Sequence, residues 1–247
     1  MPSGAGWLPR GYHLDSHTHD QGQLVYAAAG TLATTTERGT WVAPANRATW
    51  TPPGFAHSHR FYGRTDVRLL TIPVELCGEL VGHPSVFAVG ALLREAVLAL
   101  TDDRPETRPG ARRRLLAVVI DQLHDTPEQS LHLPEPGDDR LRAVTDLLHS
   151  DPAGPATLAE LGRVAGASER TLSRLFHTEL GMSFHRWRTI LRIHHALAHL
   201  TKGMSVTDTA VTCGWSNPSS FIDAFHAVVG QTPGSYQADL RGGPALP

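Results

Sequence analysis

The sequence predicts an α+β protein in three parts: a small antiparallel β-barrel or sandwich, a helical segment, and an all-α domain with two helix-turn-helix units. Three observations carry this. Residues 13–72 alternate short apolar runs with turn signals. From about Glu75 the apolar residues recur at helical spacing instead. Residues 158–236 then write one helix-corner-helix pattern twice. A chain of 247 residues is long enough for two modest domains, each burying its own core.

In chain order, the β part (1–75) comes first. Its runs LVYAAAG, TLATTTERGTWVA, RATWTPPG, AHSHRFYG and DVRLLTI read as short strands, with Glu37-Arg38-Gly39 and residues 60–64 as hairpin ends. Trp41, Trp50, Phe55 and Tyr26 are expected in its core. The second part (76–133) places helices over 86–100 and 111–123, separated by TDDRPETRPG. Packed as a hairpin on the barrel or against a second copy of the chain, they are the expected dimerisation and coupling element. Pro127, Pro134, Pro136 and Gly137 mark a linker over 126–139, and the third part (134–240) follows. Asp138-Asp139 opens its first helix, whose apolar face is Leu141, Val144, Leu147 and Leu148. The closing RGGPALP has no periodicity and is expected to be a tail.

Composition narrows the class. No apolar run reaches membrane-spanning length, and MPSGAGWLPRGYHLD lacks the apolar core of a signal peptide, so a cytoplasmic protein without membrane attachment is expected. Cys77 and Cys213 are too few for a disulfide framework and read as inert core. Net charge is −2, and from Pro134 onward ten basic residues face eleven acidic ones. Overall charge therefore gives no sign of nucleic acid. Clustering does: Arg170, Arg174, Arg186, Arg188 and Arg192 gather around one helix.

In LAELGRVAGASERTLSRLF and VTDTAVTCGWSNPSSFIDAF, the residues Leu158, Leu161 and Val164, and then Val206, Ala210 and Val211, are spaced for the inner faces of the leading helices. Gly166 and Gly214 occupy the corners, where positive φ or close helix approach is needed. Leu172, Phe176, Phe221 and Phe225 anchor the second helices inward. Their outer faces are left with Ser168, Glu169, Arg170, Ser173, Arg174 and His177 in the first unit. Asn217, Ser219, Ser220, Asp223 and His226 take that position in the second. With the connector HRWRTILRIHHALAHL and the ending Gly230, Pro233 and Tyr236, the stretch from Leu141 to Tyr236 resembles the AraC/XylS family of transcription regulators. That resemblance implies double-stranded promoter DNA as partner, both second helices entering successive major-groove turns about 34 Å apart. It also implies a small-molecule or metal effector, RNA polymerase and a homodimer as partners. His194, His195 and His199, at helical spacing on the connector, are expected to pack rather than to bind metal.

Upstream, His17 and His19 leave one face of a strand, Gln23 follows, and Pro52-Pro53-Gly54-Phe55-Ala56-His57 brings a third histidine, with His59 two further on. Three imidazoles meeting inside a small barrel suit zinc, nickel, manganese or iron. The pattern His-x-His, a fourth position, Gly30, and Pro-x-Gly-x-x-His resembles the paired motifs of the cupin fold. That resemblance implies a cupin-like barrel with His17, His19, Gln23 and His57 as the ligand set for a divalent transition metal. It departs from the family in carrying Gln23 in place of the usual glutamate and Phe61 at the later asparagine position. The alternative is a metal-dependent cupin enzyme joined to a DNA-binding domain. Gln23 cannot act as general base, however, and Asp20 is the only nearby carboxylate, so an effector-controlled regulator is expected and no catalytic residue is assigned.

Overall fold

The period-2 runs of the first half become strands because each buries alternate side chains on a shared inner face. The computed structural model describes residues 3–9, 11–102, 108, 110–129 and 131–241. Its strands are β1 (Gly4–Leu8), β2 (His13–His17), β3 (Gly22–Thr36), β4 (Gly39–Pro44), β5 (Arg47–Thr51), β6 (His57–Ile72), β7 (Ser85–Ala88) and β8 (His132–Pro134). The sheet is built on β3 and β6, with β1 and β2 on β6, β4 and β5 on β3, and β7 on β5. All of these pairs are antiparallel.

The β3–β6 ribbon folds over on itself. Gln23 is paired with Thr71 at one end, and Thr36 with His57 at the other. At about 3.3 Å per residue those ends of a straight ribbon stand ~43 Å apart. Yet Gln23 Oε1 lies 3.2 Å from His57 Nε2 and 3.1 Å from His59 Nε2. The bend falls where the register breaks, between Ala27 and Thr31. Gly30 sits there at φ 85, and a Cβ on it would stand 2.9 Å from the Thr65 Cα.

Folding over separates two environments. The interior collects buried polar groups, Gln23, Thr34, Thr49, His57 and His59. The outer face carries Leu24, Tyr26, Trp50, Leu70, Ile72 and Phe87, which share one core with Leu93, Ala96, Val97, Leu100, Val119, Ile120 and Leu123. The last seven belong to α2 (Ala91–Thr101) and α3 (Ala111–Asp125), which follow the short α1 (Val74–Cys77).

One expectation changes here. The helix expected from residue 86 begins at Ala91, because Ser85–Ala88 forms β7 along β5, with Phe87 opposite Ala48. β-branched and aromatic side chains beside an open strand edge outweigh a helical spacing of this length. Inner apolar residues of α2 and α3 pack on the sheet, one of the two placements expected for the helical hairpin, and both helices fall within the first compact unit, which includes Met1–His132.

The second unit, Leu133–Gln237, is all helical apart from the end of β8. It contains α4 (Asp139–Ser150), α5 (Leu158–Ala165), α6 (Glu169–Leu180), α7 (Phe184–Thr201), α8 (Val206–Thr212), α9 (Pro218–Val229) and, as far as Gln237, α10 (Pro233–Arg241). Six of these helices start on a Ser, Thr or Asn side chain bonded to a backbone N–H: Thr157, Ser168, Ser183, Ser205, Asn217 and Thr232. Gly166 and Gly214 take the corners at φ 67 and φ 82. Leu172, Leu175, Phe176, Trp187, Ile190, Phe221, Phe225 and Tyr236 fill the core.

Three residues expected on inner faces are exposed: Val164 at 73%, Val211 at 67% and Leu147 at 36%. α5 and α8 have 8 and 7 residues, and Leu158, Leu161 and Gly162, or Thr209 and Ala210, already use their inner arcs. Val211, one position past Ala210, turns about 100° away. The closing tail beyond Arg241 lies outside the described residues.

Candidate nucleic-acid interface and metal centre

In each helix-turn-helix unit the buried face of the second helix dictates what the other face offers. On α6, Leu172, Leu175, Phe176 and Leu180 are buried, so Arg170, Ser173, Arg174 and His177 leave together on the exposed side, with Glu169 beside them. On α9, Phe221, Phe225, Val228 and Val229 are buried, and Ser219, Ser220, Asp223 and His226 are exposed.

The two N-cap residues have structural duties as well. Ser168 Oγ accepts from Thr171 N–H at 3.1 Å, and Asn217 Oδ1 accepts from Ser220 N–H at 2.8 Å. Each cap satisfies a backbone donor that would otherwise have no partner. The Asn217 amide nitrogen is not used in the cap.

The arginine cluster divides. Arg170, Arg174 and Arg186 are exposed. Arg188 and Arg192, counted with them from the sequence, are committed elsewhere. Arg188 donates to the carbonyls of Ala156 and Gly154, and Arg192 donates to those of Pro152, Ala153 and Gly154. They pin the loop between α4 and α5 onto α7 and are not free for phosphate.

In the β unit four imidazoles converge. Ring centroids lie 4.4 Å apart for His17 and His57, 4.8 Å for His19 and His57, and 5.0 Å for His57 and His59. His57 and His59 share a face of β6 and are buried. His17 pairs with His57 across β2 and β6. His19 sits on the following loop, whose carbonyl accepts from Gly54 N–H at 2.9 Å.

Ligand atoms of His17, His57 and His59 all lie within 4.8 Å of one another. His59, not His19, completes this tightest trio. Its signal in the sequence was the two-residue spacing from His57, which puts both on one strand face.

Hydrogen bonds fix how these rings present themselves. Nδ1 of His17 faces the Asp15 carbonyl and Nδ1 of His57 the Phe55 carbonyl, both at 2.9 Å, and Nδ1 of His19 faces the Gln21 carbonyl. A carbonyl only accepts, so each Nδ1 carries the proton and each neutral ring turns an Nε2 lone pair inward. Burial favours the neutral form of His19, His57 and His59. It pushes His57 down to about 4 and His59 down to about 3, and the neighbouring imidazoles press the same way.

Nε2 of His17 and of His19 is buried and meets no hydrogen-bond donor among the described residues. Neutral imidazoles oriented by Nδ1–H···O=C bonds, with their other nitrogens bare, are the donor set of a transition-metal ion. The residues present therefore fit such a group.

A second concave feature of this unit is a cleft of about 390 Å³ lined by Leu80, Val81, Phe87, Leu123, Glu79 and Glu128, among others. Glu128 also accepts from Ser85 Oγ at 2.6 Å and pairs with His83 at 3.0 Å. No helix among the described residues is long and apolar enough to cross a membrane. Cys213 is buried and its thiol is pushed up to about 11 by burial, while the half-buried Cys77 is raised by the same cause.

Known proteins agree with the helical half and extend beyond it. A helix-turn-helix domain family matches residues 161–239. The HTH-type transcriptional regulator NimR of Escherichia coli K12 is 34% identical over 235 residues, covering 91% of this chain and 82% of NimR. RipA, an HTH-type transcriptional regulator of Corynebacterium glutamicum, is 35% identical over 103 residues, or 42% of this chain and 31% of RipA. Among solved structures, fatty-acid-bound ToxT from Vibrio cholerae aligns over 99% of this chain and 97% of its own, with 12% identity and a TM-score of 0.42. The sequence relatives are named as regulators, which favours that reading over the metal-dependent enzyme. Similarity to NimR along nearly the whole chain, joined to a matching domain over both helix-turn-helix units, makes this protein a member of the AraC/XylS family of DNA-binding transcription regulators.

Proposed function

We propose that the protein reads a promoter sequence through α6 and α9, and that a ligand of the β unit sets how much promoter it occupies. The ligand is a divalent transition-metal ion held by His17, His19 and His57, with Gln23 beside them. The DNA part rests on the exposed polar faces of the two second helices. Arg170 and Arg174 have the fork to grip guanine, Asn217 has a free amide nitrogen for adenine or phosphate, and Ser173, Ser219 and Ser220 serve base or backbone. Asp223 suits the amino group of cytosine. Glu169, His177 and His226 flank these contacts. A second copy of the chain and RNA polymerase are the further partners of the proposed assembly.

What carries the metal part is the pair of buried Nε2 atoms on His17 and His19 that face no donor among the described residues. A buried acceptor left without a donor costs free energy, and a cation between these atoms removes that cost. Bound there, the ion need only favour one state of the chain by a few kcal/mol to change promoter occupancy. Elemental analysis of protein purified without an affinity tag tests the site directly. Stoichiometric metal that is lost on His57→Ala is expected, and wild-type protein without metal overturns it. Gel-shift titration of promoter fragments with metal-loaded and metal-stripped protein tests the control. The cleft near Glu128 favours a second reading, in which a small molecule with an apolar body and a cationic group is the effector.

A further inference from the structure

We infer that the centre is completed by His59 as a fourth imidazole, and that Gln23 is the group the ion must displace rather than one of its ligands. The inference rests on reading the histidine cluster as a metal site. Thr34 Oγ1 donates to Thr49 Oγ1 at 3.2 Å and so has only lone pairs to offer the Nδ1 of His59, 3.0 Å away. His59 Nδ1 therefore carries the proton, and Nε2 turns inward as a lone pair, as it does on His17, His19 and His57.

The side-chain amide of Gln23 stands between the Nε2 atoms of His57 and His59, at 3.2 and 3.1 Å. Two lone pairs facing a carbonyl oxygen repel it. The hydrogen-bond pattern requires the amide nitrogen at that place, giving one N–H to each imidazole. Gln23 thus does for two of the rings what a cation does for all four. Metal entry exchanges those two hydrogen bonds for coordination, which makes binding weaker and more reversible than in a site that carries a carboxylate.

The donor set also selects the metal. Four neutral nitrogens supply no hard oxygen and no negative charge. They favour zinc, nickel, cobalt and copper ions over manganese and iron, which lie low in the affinity order for nitrogen sites and prefer carboxylates.

The test is calorimetric titration of untagged, chelator-stripped, full-length protein with zinc, nickel and manganese chlorides. One zinc or nickel ion per chain is expected, with no measurable manganese binding where zinc saturates. His59→Asn keeps an N–H for Thr34 and deletes only the inward nitrogen. It should raise the zinc Kd at least about tenfold, since even outer-shell partners of metal ligands are worth ten- to a hundredfold. Gln23→Glu should lower that Kd at least about tenfold and confer manganese binding. Thermal unfolding of each metal-free variant checks that it folds.

Zinc bound equally tightly by His59→Asn, or manganese matching zinc in the wild type, overturns this inference and leaves the metal site standing. Weaker zinc binding by Gln23→Glu overturns the role given to Gln23. A wild type that takes up no metal overturns both the inference and the metal site beneath it, and the DNA-reading residues are unaffected.

Discussion

Burial holds the His57 and His59 imidazoles neutral, and this gives the metal-free protein a pH dependence. His57 falls from about 6.5 in the unfolded chain to about 4 in the folded one, and His59 to about 3. Below pH 6.5 the unfolded chain takes up protons that the folded chain refuses, so stability declines as pH drops from about 6.5 toward 3–4. One pKa unit is about 1.4 kcal/mol, so His57 alone accounts for about 3 kcal/mol across that window. Urea unfolding of metal-stripped protein at pH 7.5 and pH 5 should show the midpoint fall at the lower pH; equal midpoints would mean that these rings are not held neutral.

The arginines divide the same way. Arg170→Ala and Arg174→Ala should each weaken promoter binding by about 1–3 kcal/mol if the residue grips a base, with melting unchanged. Arg188→Ala should lower the melting temperature, because it releases the carbonyls of Gly154 and Ala156. That division was hidden in the sequence. The loop carbonyls that claim Arg188 and Arg192 lie 32 to 40 residues earlier in the chain, and only the packed helices bring them together. His59 was closer to legible, since strand periodicity alone puts it beside His57. What the sequence lacked was the fold-over of β3 on β6 that delivers Gln23 to both.

Helix corners and caps are the elements most readable in advance, because they depend on local chemistry. Gly214 shows how firmly such a corner can be fixed. It sits at φ 82, and a Cβ there would lie 2.6 Å from the Ala153 carbonyl oxygen and 2.9 Å from an Arg192 guanidinium nitrogen. Gly214→Ala combines backbone strain with a collision against a pinned loop, so a loss of about 2–3 kcal/mol is expected. Promoter affinity should fall with it, since the corner sets the angle of α9. Thermal melts and gel shifts on the same variant check both; wild-type melting would show that the loop yields without cost.

Thr157→Ala, which removes a capping box with Glu160, should cost about 1 kcal/mol. Elements settled by partners rather than local pattern were the harder ones. Residues 85–88 have a helical spacing but are taken by the edge of β5. Val164 and Val211 match a helix face that 8- and 7-residue helices have no room to bury.

Two compact units with separate cores give the whole molecule a division that ligand control can use. The histidine cluster lies wholly within Met1–His132, and the exposed faces of α6 and α9 wholly within Leu133–Gln237. The order of β part before helical part was readable from the change in hydrophobic period. Helical spacing alone left open whether the α2–α3 hairpin packs on the barrel or on a second copy; in the fold its inner residues share a core with the outer face of the sheet.

A ligand on one unit can change the affinity of the other only through a coupling free energy, commonly 1–3 kcal/mol, or about 5- to 150-fold. A fragment spanning 133–241 keeps the helical core and both second helices, so it should fold and bind the same promoter. Its affinity should not respond to zinc or nickel, because it lacks every member of the cluster. The full chain should respond by at least about fivefold in either direction, and His57→Ala should remove the response without removing binding. Fluorescence anisotropy with a labelled promoter fragment, at fixed salt because phosphate contacts make any such affinity salt-dependent, reads all three proteins on one scale. Equal affinities for loaded and stripped full-length protein would place the ion in a structural role within the barrel and move control to another ligand.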